Sequence, residues 1–151
     1  MTFRFDKVVL AWSISVVLFG AEIFASDLVL TVTNIKQPGT LFVTVYEDAR
    51  AFVDDMVNTR APVEKTGVHS VTRERTTNNV SRLVIDVPDG IVAIAIFHDV
   101  NGNGAVDEGF LGIPKEQYGF ANNARPLFRP PSYQASSIVI EGRTAHLIRL
   151  R

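Results

Sequence analysis

No cysteine occurs in the 151 residues. That excludes disulfides, thiol catalysis and cysteine-ligated metal. A domain of this length can still be held by its core alone. Charge of one sign is not in excess either: 15 Lys and Arg stand against 16 Asp and Glu, a formal charge of −1. So near a balance there is no electrostatic case for nucleic acid or an anionic membrane surface as a partner. An apolar run of membrane-spanning length is also missing. Val8 to Gly20 contains two serines and falls short of the ~20 residues a span needs. Stretching it to Ala25 takes in Glu22, which is costly inside lipid. Ser132, Ser136 and Ser137 lie outside any glycine-flanked nucleophile elbow.

What is there begins with Arg4 and Lys7, then the apolar run, then small residues at Ala21, Ala25 and Ser26. Basic, apolar, small is the order of a secretory signal. Cleavage is expected after Ala25, with Ala21 as a second candidate, and the competing reading is an uncleaved anchor. No cysteine follows the run, so a lipoprotein anchor is excluded. Residues 26–151 then form one domain in the periplasm or outside the cell, with no stable membrane anchor once the signal is removed.

The rest reads mostly as strands. Leu28, Leu30 and Val32 alternate with Val29, Thr31 and Thr33; Leu41, Val43 and Val45 alternate with Phe42, Thr44 and Tyr46. With the turn residues Gln37-Pro38-Gly39-Thr40 between them, the two runs predict a hairpin. Asp48 heads one or two helical turns through Val53 as a side-chain cap. Val63 and Val68 to Arg75 read as edge strands, the second carrying charges that discourage further pairing. Leu83, Ile85 and Val87 alternate, Pro88-Asp89-Gly90 turns, and Ile91 to Phe97 is apolar throughout, as suits a central strand buried on both faces. Two closing strands, Ser136–Glu141 and Thr144–Leu150, turn at Gly142. About seven strands and at most one short helix predict an all-β, antiparallel β-sandwich. Between two late strands lies a long insert, residues 99–133. Its five aromatics argue that it is ordered.

The insert opens with Asp99-Val100-Asn101-Gly102-Asn103-Gly104-Ala105-Val106-Asp107-Glu108. Oxygen-bearing side chains at 99, 101 and 103, a glycine at 104 and carboxylates at 107 and 108 have the spacing of a loop that wraps a hard cation. Calcium is the cation this set suits, ligated by Asp99, Asn101, Asn103, the Ala105 carbonyl, Asp107 and Glu108. The twelfth position of such a loop, where a bidentate glutamate belongs, is Phe110. Binding would therefore be weak, in the ~10⁻⁴–10⁻³ M range of extracellular modules. The competing reading is a metal-free turn, with Asp and Asn bonded to their own backbone and glycine supplying positive φ.

His98 beside Asp99 reads either as a ligand or general base, or as a strand-end histidine bonded to the insert. Tyr118, Phe120, Phe128 and Tyr133, with Arg125 and Arg129, would offer aromatic faces and guanidinium groups to a glycan, peptide or envelope protein. Alternatively the aromatics are a satellite core under the insert. Asn122, Asn123 and Arg125 would order the loop through hydrogen bonds.

Three pieces of the sequence together, Phe97 to Gly104, Leu111 to Phe120 and Asn122-Asn123-Ala124-Arg125, resemble DUF2141, a family of uncharacterised exported bacterial proteins. The similarity extends across residues 26–151, including Pro88-Asp89-Gly90 and the closing Leu147-Ile148-Arg149-Leu150. Asp107 matches the aspartate that follows the family's glycine-rich loop. The resemblance implies a group and a sandwich, not an activity. Residues 88–97 also resemble the turn and strand of transthyretin-like and carboxypeptidase-regulatory domains, which implies an immunoglobulin-like or transthyretin-like sandwich. The function expected is a non-enzymatic binding or structural module of the cell envelope, with calcium its one candidate cofactor. The alternative is an envelope enzyme around His98, Asp99 and the insert. Convergence of His98, Asp107 and Arg125 in an open pocket would favour the enzyme.

Overall fold

The computed structural model describes residues 26–58, 60–109, 114–125 and 129–151. The expected signal segment, residues 1–25, lies outside them, as do Phe110 and Phe128. The elements run β1 (Ser26–Thr33), β2 (Gly39–Tyr46), α1 (Ala49–Met56), β3 (Val68–Thr76), β4 (Val80–Val87), β5 (Gly90–Asp99), β6 (Tyr118–Phe120), β7 (Ser137–Ile140) and β8 (Thr144–Arg149). One sheet has the order β4-β1-β8; the other has β3-β2-β5, and β6 and β7 share the free side of β5. Among the described residues no helix is long and apolar enough to cross a membrane.

The period-two pattern of each strand decides which side chains meet between the sheets. Leu28, Leu30 and Val32 face Leu41, Val43 and Val45, with Leu83, Ile85, Val87, Val92, Ile94 and Ile96 filling the rest of one contiguous core. Strand β5 is apolar on both faces because a second layer covers its other side. Ala93 and Ala95 are small there, and the Phe52 ring of α1 sits among Tyr46, Ala93, Ala95 and Phe120. Its centroid is 5.2 Å from that of Tyr46, edge on, and 6.0 Å from that of Tyr133. Helix α1 starts where Asp48 accepts hydrogen bonds from the Arg50 and Ala51 amides, 2.9 Å each. It is pinned at its other end by Asp55, which accepts from the Tyr46 hydroxyl at 3.1 Å and pairs with Lys65 at 2.6 Å. Burial, reinforced by the Asp55 carboxylate, pushes the Tyr46 phenol far above its ordinary range.

Four features differ from the reading of the sequence. Strands β1 and β2 are not a hairpin. Each turns its apolar face toward the other across the sandwich, and Asn34, at φ 64°, starts the crossing between sheets. The pairing is not wholly antiparallel, since β8 returns beside β1 in parallel, Leu28 opposite Thr144. Val63 is in no strand; Pro62 precedes it and it is 58% exposed. The eighth strand is β6, three residues inside the insert that pair with Ala95 to Phe97. The expected edge strand β3 is present, and Arg73 on it sits 5.4 Å from the Phe42 ring centroid.

Candidate functional site

Strand β5 delivers Asp99 to the end of the sandwich, where the carboxylate is almost fully buried. One oxygen accepts the Gly102 amide at 2.6 Å and the other the Gly104 amide at 2.9 Å. Two side-chain turns continue the wrap: Asn101 Oδ1 accepts from the Asn103 amide, and Asn103 Oδ1 from the Ala105 amide. Both asparagine Nδ2 groups then donate to Asp107, at 2.6 Å from Asn101 and 3.0 Å from Asn103. Gly102 and Gly104 lie at φ 76° and 67°, the conformation this winding requires. Ala105 bridges to Arg60, and Glu108 is exposed and bridges to Pro114. Among the described residues no three acidic or histidine side chains are grouped to hold a metal ion.

Glu116 completes the arrangement. It is buried, and its two oxygens accept from the Val100 amide at 2.8 Å and the Asp107 amide at 3.1 Å. The insert therefore leaves β5 along one carboxylate and is tied back by another.

His98 points the other way. It is 0% exposed, and among the described residues neither ring nitrogen has a hydrogen-bond partner. A Cβ on Gly39 would stand 2.5 Å from Nε2, so the ring fits only because that position is glycine. Burial pushes the imidazole below its ordinary value, against smaller opposing influences of Glu116, Asp99 and Gln117. In the fold the ring resists protonation, whereas in the unfolded chain it protonates near pH ~6.5. Its contribution is complete above that pH and is lost as the pH falls toward the depressed folded value. The melting temperature should therefore drop between pH 7 and 5, and His98→Gln should flatten part of the drop. His146, also lowered by burial, keeps a residual slope. A pH profile identical in wild type and His98→Gln would show that His98 is not the buried neutral group described here.

The return of the insert is a 3₁₀ turn, Ala121–Asn123, with Asn122 and Asn123 at φ 56° and 51°. Asn122 Nδ2 donates to the Ser137 carbonyl at 2.7 Å. Asn123 Oδ1 accepts the Arg149 amide at 2.8 Å, and its Nδ2 donates to the Leu147 carbonyl at 3.4 Å. Phe120 is buried, and Tyr118 and Tyr133, both partly buried, pack beside it in the second core; Tyr118 also lines a cleft beside Arg151. Arg125 is exposed and lines a cleft against β8.

The structure thus brings Asp99, Asn101, Asn103 and Asp107 together in one hydrogen-bonded loop, and Asn122 and Asn123 together against β7 and β8. It does not bring His98 or Asp107 to the cleft of Arg125. Sequence reasoning passed over Glu116, Asn34, Arg149 and Arg151. Only Asn34 carried a local signal, an asparagine just after a strand.

A family model described as "Uncharacterized protein conserved in bacteria (DUF2141)" matches residues 30–147. No curated protein matches the chain. No solved structure matches it.

Proposed function

The chain belongs to the DUF2141 family, and on that premise we propose that it is an exported, non-enzymatic binding or structural module of the cell envelope. The observation that carries this reading is the use made of the carboxylates around the insert. Asp99 and Glu116 spend all four oxygens on backbone amides of the insert. Buried carboxylates so engaged act as scaffolding; a general base needs a lone pair in reach of a substrate, and both of these are withdrawn from the surface. His98, the strongest acid–base candidate, is sealed from solvent. The basic, apolar, small order of residues 1–25 supports export to the periplasm or beyond.

Calcium enters this reading as a weak auxiliary. The two asparagine Nδ2 donors already engage both Asp107 oxygens, which supports a secondary rather than an essential part for the ion. At a calcium concentration about ten times a millimolar dissociation constant, linkage gives a gain of ~1.4 kcal/mol. Calorimetric melting of the metal-free protein, with and without calcium, is the test. A gain of that size in wild type and none in Asp99→Ala is expected. No gain in wild type removes calcium from the proposal; a gain several times larger would mean that the loop depends on the ion and is not self-closing.

A further inference from the structure

We propose that the cleft between β8 and the segment Asn123 to Arg125 binds a phosphate group. This stands apart from the reading of the Asp99 loop and survives or fails without it. The cleft has a volume of about 600 Å³, and Asn34, Asn123, Arg125, Leu147, Arg149 and Arg151 line it. Three arginines and no acidic residue are among the described residues that line it. None of the ion pairs among the described residues involves these arginines. An α-carboxylate at Arg151 would offset only one of the three charges.

A second cleft, of about 400 Å³, adjoins at Arg151 and adds Lys36 and Lys115. Its one carboxylate, Glu116, is buried and committed to the Val100 and Asp107 amides. In a chain of formal charge −1, five cationic side chains therefore gather along one end against a single lining carboxylate, Glu116. Like charges crowded in a concave surface repel one another, and their focused field favours an anion that relieves the repulsion.

The walls are set before any ligand arrives. Asn123 is fixed by the Arg149 amide, Arg151 Nη2 donates to the Asn123 carbonyl at 2.8 Å, and Asn34 Nδ2 donates to the Leu150 carbonyl at 2.6 Å. Such fixed walls lower the ordering cost of binding. Guanidinium groups match phosphate oxygens in bidentate fashion, which selects an oxyanion over chloride. Leu147, 51% exposed, adds an apolar wall suited to the organic part of a phosphate ester. That ester is either a soluble molecule or a lipid headgroup; the recognising chemistry is shared.

The test uses the purified full-length chain and titration with inorganic phosphate at constant ionic strength, chloride being the replacement salt. Saturable binding is expected in wild type. The double substitution Arg125→Ala/Arg149→Ala should weaken it at least about tenfold, in line with the loss of charged hydrogen bonds. Arg50→Ala on α1 removes the same type of charge elsewhere and should leave binding unchanged. Vesicles of phosphatidylglycerol and of phosphatidylcholine separate the two sources. Retention on the anionic vesicles that the double substitution abolishes identifies a lipid headgroup. Phosphate binding without vesicle retention identifies a soluble ester. Absence of both, a double variant equal to wild type, or an equal loss in Arg50→Ala overturns the proposal.

Discussion

Phe52→Ala should lower the unfolding free energy by about 3–5 kcal/mol, the largest effect expected of any single substitution in the second core. The ring is fully buried and touches Tyr46, Phe120 and Tyr133 edge on. Its floor is Ala93 and Ala95, on a strand paired with β2 on one side and with β6 and β7 on the other. Neither alanine can extend into the vacated space, and β5 cannot bow toward it without breaking ladder bonds. The cavity should therefore stay open, which is the condition for the upper part of that range. Phe52→Leu should cost about half as much. Urea denaturation followed by far-ultraviolet dichroism measures both. A loss under about 1 kcal/mol for the alanine variant would mean that α1 and the insert are not anchored through this ring.

Asp99→Ala should cost about 2–4 kcal/mol, from two charge-assisted hydrogen bonds at a nearly buried position. Water can reach the exposed Gly102 amide and recover part of the loss, which keeps the estimate below the sum for two fully buried bonds. The damage should be local as well as global. With the first turn unwound, protease cleavage between residues 100 and 116 should precede global unfolding. Glu116→Gln removes the charge at the other tie and should act on the same segment. Because both carboxylates hold one loop, the double variant should cost less than the sum of the singles. Strict additivity in denaturant melts would contradict the shared-loop account.

Much of this fold was legible residue by residue. Asp48 before a short amphipathic run marked a cap, and the unbroken apolar stretch from Ile91 marked the central strand. Asn and Asp at alternate positions after Asp99 marked a winding loop. All of these are local signals, set by a few neighbours along the chain. Strand partnership is not local. The alternation in β1 and β2 shows which side chains are buried, and two strands that bury their faces against each other across a sandwich alternate in the same way as two that pair edge to edge. The parallel placement of β8 has no marker at all. The site divides likewise. Glu116 sits in a Lys-Glu-Gln run that reads as solvated surface, and nothing nearby signals that its oxygens end under two amides sixteen and nine residues upstream. Arg149 and Arg151 read as the polar members of a closing strand. Only the tertiary fold carries Arg125 to the same cleft.

The parallel strand pair has a consequence for the order of assembly. β1, the first strand of the sandwich, is the middle of its sheet, and one of its two neighbours is the last strand. Closing that contact spans nearly the whole domain and loses chain entropy before it gains any pairing, so it is expected to form after the local pairings. Until β8 is made, one edge of β1 has no partner. The domain therefore cannot complete its three-stranded sheet until β8, the last of its strands, is available to pair.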